Sequence, residues 1–376
     1  MPFNAAEVAR QIEGSRGAVK AQTRARQDAV ELALKIYREA DETAWEQRVQ
    51  DATVRRWAGM PLAPLADEQA VATHRGDYCV AATDSSFIPP DKHRGSFSHL
   101  INVGRVMVRY GGSPAAELDN VPNHYSEMLV EGEETMSGRV LQTKCALREL
   151  QELLEWSRVY RPDIALVDGS LMQLVLVLSK EEQVKALMAE YFKTLHGFRA
   201  IGVPVIGYIS RPESQMVMRA IRMLACERPT PCERRPDMPC SCQPLWSIND
   251  ADLFWPMLDT GQRSTIFGPE FSYMDEGSSH SLREMVFAYM GTAYEVVRLE
   301  FPMWVWEDGL LDGAVAMLLH QCKLGGGYPN CLTLAHQFAA LHNMDRESYY
   351  FLLERAGLLE GTSEKAFGKR MIGQAI

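Results

Sequence analysis

Cys79-Val80-Ala81-Ala82-Thr83-Asp84-Ser85-Ser86-Phe87 and Ile164-Ala165-Leu166-Val167-Asp168-Gly169-Ser170 decide how this chain is read. Each is a short run of β-type residues that reaches an aspartate followed by small, turn-forming residues. The first stops at Pro89-Pro90, which cannot continue a strand. Between the two lie a second β-rich run, Phe97 to Tyr110, closed by Gly111-Gly112, and a third candidate strand around His124 to Val130. A helix from about Thr143 to Tyr160 follows, in which Leu147, Leu150, Leu153 and Leu154 recur at helical spacing and predict one apolar face. After Ser170, a helix over about Lys180 to Leu195 leads to another strand, Val203 to Ile209, so strand, helix and strand alternate in the parallel-sheet manner.

The first three strands predict an antiparallel meander, and the fourth must then lie parallel to the first. That order is the ribonuclease-H-like plan: an α/β fold whose mixed sheet, meander plus parallel strands, is flanked by helices, here with an N-terminal helical extension. Its logic gathers one acid from the first strand, one from the first helix and one from the end of the fourth strand at one edge of the sheet. Asp84, Glu149 or Glu152, and Asp168 occupy those places. Crowded carboxylates repel one another and are tolerated when hard divalent cations neutralise them. Two such ions, roughly 3.5–4 Å apart, stabilise the attacking and leaving oxygens in phosphodiester cleavage. Taken singly, each acid has a plainer explanation. Asp168-Gly169-Ser170 is an ordinary turn signal, Asp84-Ser85-Ser86 serves equally to cap a bend, and a glutamate on a helix surface is commonplace. Glu149 and Glu152 stand three apart and share a face, so spacing alone does not choose between them.

The 376 residues carry 39 Lys and Arg against 49 Asp and Glu, a net charge of −10. That excludes a protein that coats nucleic acid by bulk positive charge, and leaves room for a local groove or a site that recruits cations. With 46% hydrophobic and 23% charged residues the composition is that of a folded globule, long enough to build a core without disulfides. Met1-Pro2-Phe3 runs into charged, helix-like sequence without the layout of a secretory signal, and the longest strongly apolar run, Leu171 to Leu178, falls short of the ~20 residues of a membrane helix. The expectation is a soluble cytoplasmic protein with no membrane partner. No Gly-x-x-x-x-Gly-Lys-Ser/Thr phosphate loop occurs, so any ATP-driven movement must come from another protein.

Residues 5 to about 57 read as helix, with Arg16, Lys20 and Arg24 on one face that is most simply a solvated surface. Further strands are expected near 264–273, 285–290 and 294–301, and closing helices over about 308–322, 329–342 and 346–358. Arg298 and Glu300 alternate on a strand and share a face, either to organise a site or as an ion pair that supports the sheet. Pro329 suits the first turn of a helix, which leaves Tyr328 just before it and His336 two turns in. A histidine there can ligate a metal or move a proton; the plainer alternative buries it among Ala335, Phe338 and Ala339. Residues 226–244 form a proline-rich insertion holding Cys226, Cys232, Cys240 and Cys242, whose spacing matches none of the common zinc patterns. Four prolines and four thiols within the 17 residues 226–242 need something to order them, and structural Zn2+ is weighed against unligated thiols.

The chain resembles the NurA nucleases, the DNA-end-resection partners of the HerA translocase, from about Tyr78 to about Ala340. The carriers are Ala82-Thr83-Asp84-Ser85-Ser86, His99-Leu-Ile-Asn-Val-Gly104, Leu147-Arg148-Glu149-Leu150, Ala165-Leu-Val-Asp168-Gly-Ser-Leu171, Val203-Pro-Val-Ile-Gly-Tyr-Ile209, Arg298-Leu-Glu300-Phe-Pro302, and Gly327-Tyr328-Pro329 with Ala335-His336. The resemblance implies a manganese-dependent deoxyribonuclease, with Mg2+ as the alternative and two ions expected, whose ligands are Asp84, Glu149 and Asp168. Tyr328 and His336 keep the separation of the family's C-terminal tyrosine and histidine. Glu149 is preferred to Glu152 because Leu150 and the Leu153-Leu154 pair fit the family spacing better. The family usually has Asp-Gly-Ser where this chain has Asp84-Ser85-Ser86. The domains implied are a helical extension over 1–65, a nuclease domain over 66–345 with the insertion at 226–244, and a C-terminal helix and tail over 346–376. The implied activities are 5′-3′ exonuclease and single-strand endonuclease action in double-strand-break end resection, with DNA, a second copy of the chain and a HerA-type hexameric ATPase as partners. The alternative is a degenerate nuclease fold that acts as a scaffolding or DNA-binding subunit of such a complex, and the Asp84-Ser85 departure is its support.

Overall fold

A computed structural model of the chain describes residues 4–51, 57–71, 73–74, 76–91, 96–126, 137–227, 240–270 and 282–359. It forms two compact units, Met1–Thr73 with Tyr208–Met303, and His74–Gly207 with Trp304–Ile376. In chain order the first contributes α1 (Ala5–Glu39), α2 (Glu42–Gln50), β1 (Ala58–Pro61) and β2 (Gln69–Ala70). The second then contributes β3 (Tyr78–Ile88), β4 (Ser98–Tyr110), β5 (Ala115–Ser126), α3 (Gly138–Tyr160), β6 (Ile164–Asp168), α4 (Leu174–Val177) and α5 (Glu182–Ile201). β7 (Val205–Ile209) carries the chain back to the first unit for α6 (Met216–Ala225), α7 (Asp250–Phe254), β8 (Gln262–Arg263), β9 (Phe267–Glu270), β10 (Met285–Gly291) and β11 (Val296–Pro302). After α8 (Met303–Glu307), the second unit closes with α9 (Leu311–Leu324), α10 (Asn330–Ala339) and α11 (Asn343–Arg355).

In the second unit the strand order is β7-β6-β3-β4-β5. β3 pairs antiparallel with β4 over its whole length, Tyr78 opposite Tyr110 to Ile88 opposite Leu100, and β4 pairs antiparallel with β5. β6 runs parallel to β3, with Thr83 beside Val167. Val80, Ala81 and Ala82 are fully buried, as are Ile164, Ala165 and Leu166, so both central strands read as continuous apolar runs covered on two faces. The leucines Leu147, Leu150, Leu153 and Leu154 are buried on α3, as the spacing predicts.

The third strand corrects the expectation. It spans Ala115–Ser126 rather than beginning near His124, and residues 127–130 lie outside the described residues. β5 is the edge of the sheet and most of its residues are exposed, so no apolar alternation marks it in the sequence. Pro122, which would break a central strand, is tolerated on an edge. The expected N-terminal helix is two helices. Ala40 is extended, with ψ 129°, and the Asp41 carboxylate accepts from the Ala44 N–H at 3.0 Å, capping α2.

The first unit holds a second set of strands, with β1 paired to β9, β9 and β8 to β10, β10 to β11, and β2 to β8, all antiparallel. Every residue of β10 and β11 is buried. Among the described residues no helix is long and apolar enough to cross a membrane.

Candidate active site

Asp84 sits just past the middle of β3, one residue beyond the last parallel pair, Thr83 with Val167, so Asp168 at the end of β6 is its neighbour. The turn after Asp168 is made by Gly169 at φ +94°, a conformation that an L side chain adopts only under strain. This accounts for the Asp-Gly-Ser that the sequence offers at the strand end.

The helix α10 lies on β3 and β4, and one glycine admits it. A Cβ added to Gly104, which pairs with Asp84 across the ladder, would come within 2.3 Å of the Ala335 carbonyl oxygen and 2.5 Å of the Ala339 nitrogen. The helix is held by its C-terminal carbonyls. The Asn102 side-chain amide donates to Ala339 O at 2.9 Å and Phe338 O at 3.2 Å, and the Ser86 hydroxyl also donates to Ala339 O. Ser86 and Asn102 are register partners two residues along from Asp84 and Gly104, so they share the pleat face that receives α10. This close seating brings His336 to Asp84: the ring Nδ1–H donates to Asp84 Oδ2 at 2.8 Å. His336 is not the core histidine of the plainer reading, because its side chain is 73% exposed, whereas that of Asp84 is 16% exposed. Tyr328, at the entry to the same helix, donates its hydroxyl to the Asp168 carboxylate. The two C-terminal residues singled out in the sequence therefore each meet one of the two strand aspartates.

The third acid approaches from α3. The Thr83 hydroxyl donates to the Glu149 carbonyl at 3.1 Å, fixing the helix against β3, and the Ser85 hydroxyl donates to Glu149 Oε1. Ser85, the departure from the family pattern, is thus a contact residue of the site and a participant that sequence reasoning missed. Loss of hydration, with the Asp84 and Asp168 carboxylates adding to it, pushes the Glu149 carboxyl up to about 8 despite the Ser85 hydrogen bond. Desolvation and Asp84 also raise Asp168, against the opposing pull of Tyr328 and His336. The Tyr328 hydroxyl is raised by desolvation and by its acidic neighbour.

Glu152 has a different environment. It is 4% exposed and accepts from Arg105 at 3.0 Å and from Arg148, with Arg105 also paired to Asp119 and stacked over Trp156 at 4.5 Å. Glu152 is a neutralised structural acid, while Glu149 faces two further carboxylates. Arg298 and Glu300 prove to be a core ion pair of the first unit, 2.8 Å apart and about 2–3% exposed, in a network with Asp250, Tyr289 and Ser214.

Among the described residues, Cys226, Cys240 and Cys242 are the one set of three metal-ligand side chains whose donor atoms all lie within 4.8 Å of one another. The three carboxylates, although coupled electrostatically, stand wider than that, each held by its own partner. Cys232 lies outside the described residues.

The strand order and the acids at β3, α3 and β6 define an RNase H-like protein with a carboxylate-lined site. Within that class the chain belongs to the NurA family, whose NurA domain model matches residues 79–341. No curated protein matches the sequence. Among solved structures the chain is similar to endonuclease V from Bacillus subtilis, at 12% identity and TM-score 0.31, with 74% of this chain and 83% of that chain covered. It is similar to human ENDOV at 12% identity and TM-score 0.33, covering 82% and 100%. It is also similar to Thermus thermophilus RuvC in complex with a Holliday junction substrate, at 13% identity and TM-score 0.18, covering 45% and 88%. Likeness at this level adds nothing to the fold already visible in the strand order.

Proposed function

We propose that this chain is a metal-dependent deoxyribonuclease in which Asp84, Glu149 and Asp168 hold the cations. The observation that carries the reading is the convergence of the three acids at one place: burial, with the Asp84 and Asp168 carboxylates adding to it, holds the Glu149 carboxyl up at about 8. An all-oxygen donor set with surplus negative charge suits a hard divalent cation such as Mn2+ or Mg2+, and by the family relationship two ions are expected. Bound there, such ions neutralise charge on the phosphate and on the oxygens that attack and leave.

The chain's own residues then have distinct tasks. Tyr328 orients Asp168, and His336 orients Asp84 through Nδ1 while its exposed ring leaves Nε2 to meet a phosphate oxygen or to pass a proton. Ser85 fixes the Glu149 carboxylate. That contact supports the enzymatic reading over the scaffold, since the residue that departs from the family pattern serves the same acid.

By the family relationship the substrate is DNA, cut by a 5′-3′ exonuclease and a single-strand endonuclease activity during end resection, in a homodimer that works with a HerA-type hexameric ATPase. The domain limits 1–65, 66–345 and 346–376 and a cytoplasmic setting belong to the same proposal. The test is cleavage of labelled linear and single-stranded DNA in Mn2+ by the full chain and by Asp84→Ala, with and without a HerA-type ATPase. Cleavage by the native chain that Asp84→Ala loses is expected. Equal cleavage by both removes the site assignment, and no cleavage by either under any condition favours the scaffold.

A further inference from the structure

The three described thiols of the first unit, Cys226, Cys240 and Cys242, have no part in the carboxylate chemistry, and they converge from opposite ends of the proline-rich insertion. Cys226 is the residue that ends α6, in extended conformation with ψ 119°. Cys240 and Cys242 flank Ser241 on the turn that enters a short 3-10 helix over Gln243–Ser247. The Cys226 and Cys240 sulfurs are 3.6 Å apart and those of Cys240 and Cys242 are 3.4 Å apart. None of the three is disulfide-bonded, and a bridge requires about 2.05 Å. Thiolates around a tetrahedral zinc at ~2.3 Å stand roughly 3.8 Å from one another, close to the separations seen here.

The backbone on both limbs is fixed by contacts that do not involve sulfur. Arg48 donates to Met223 O at 3.1 Å and to Cys226 O at 2.5 Å, and Ser241 Oγ donates to Ala225 O at 2.6 Å. The Gln243 and Leu245 amides close the second limb on Cys240 O and Cys242 O. Cys226 and Cys242 are 4% and 1% exposed, so two of the sulfurs are already withdrawn from water. The C-terminal end of α6 carries the negative end of the helix dipole, which favours a cation over an isolated thiolate.

We infer that Cys226, Cys240 and Cys242 bind a structural Zn2+ ion that ties the end of α6 to the returning chain at Cys240 and closes the span 227–239. Soft thiolates select zinc over the hard cations that suit the carboxylates, so one chain carries two metal sites of opposite preference. Each cysteine gives up its proton on binding and the metal–sulfur bonds replace the S–H bonds, with no change of oxidation state. Three thiolates fill three tetrahedral positions.

The test uses the full chain, purified under reducing conditions with no histidine tag and no chelator. Elemental analysis by mass spectrometry is expected to find close to one zinc per chain, and less than a tenth of that in the Cys240→Ser/Cys242→Ser double variant. Because that variant can fail to fold, Co2+ is added to zinc-stripped native chain as a second readout. An intense thiolate-to-cobalt charge-transfer band in the near ultraviolet, with the visible bands of tetrahedral cobalt, is expected. Absence of the zinc, absence of the cobalt band, iron in place of zinc, or unchanged zinc in a folded double variant each overturns the site. Asp84→Ala is expected to keep its zinc in full, which separates this inference from the nuclease reading.

Discussion

Glu149 and Glu152 sit less than one helical turn apart on α3 and have opposite electrostatic surroundings. Glu152 is enclosed by Arg105 and Arg148, so its charge is cancelled where it is buried. Glu149 is held by a serine hydroxyl and faces two more carboxylates, so its charge is opposed. A helix can place two identical side chains on one face and let the neighbouring strands decide which supports the fold and which is kept ready for a cation. In this chain β4, through Arg105, claims Glu152, and β3, through Ser85, claims Glu149.

The strongest way to break the comparison is to exchange the two roles by mutation. Glu149→Gln is expected to lower Mn2+-dependent DNA cleavage by at least ~100-fold while the folded state survives, measured as single-turnover rates on labelled DNA. Glu152→Gln is expected to leave the rate within a few-fold and instead to lower stability by about 2–3 kcal/mol in urea titration. Removing it leaves Arg105 and Arg148 without their shared anion, a loss moderated by their partial hydration. A large rate loss in Glu152→Gln with no stability loss would reverse the assignment.

Next in size are the groups that orient the aspartates. His336→Ala and Tyr328→Phe are each expected to reduce the cleavage rate by about 10- to 100-fold. Because His336 is mostly exposed, its loss should shift stability by no more than about 0.5 kcal/mol. Gly104→Ala drives a methyl group into the backbone of α10, and a loss of about 1–3 kcal/mol is expected, with the rate falling as His336 is displaced.

The smallest effect sharpens the comparison through pH. A carboxyl raised to about 8 in the folded chain, against 4.5 as its ordinary value, binds its proton more tightly when folded than when unfolded. Its contribution is therefore fully present below about 4.5 and is lost as pH rises toward 8. Metal-free protein should show stability falling across that window, Glu149→Gln should flatten the slope, and added Mn2+ should stabilise most at the alkaline end. Urea midpoints measured at several pH values in chelator and in Mn2+ check all three.

Much of this arrangement was legible in the residues. The apolar runs that end at Asp84 and Asp168 mark two adjacent, buried parallel strands, because only a strand covered on both faces can be so uniformly apolar and then stop at a charge. β5 was misplaced because an exposed edge strand needs no apolar alternation. The split of the N-terminal helix turned on Asp41, a cap that lies inside an otherwise helical pattern. The choice between Glu149 and Glu152 could not be read from spacing, since it is made by Ser85 and Arg105 on other strands. Gly104 is written in the sequence as an ordinary strand glycine, and only the helix packed against it shows what its missing side chain allows. The cysteine spacings matched no familiar pattern because Cys226 ends a helix that the sequence did not reveal.

Tyr328 and His336 stand at the entry and the middle of a single rod pinned at its far end by Ser86 and Asn102. The two aspartates are consequently steered in common: tilting that rod about its pin would loosen both grips at once, and reseating it would restore both. Control over the centre would need only one mechanical degree of freedom, and whatever presses on the outer surface of α10 holds the handle.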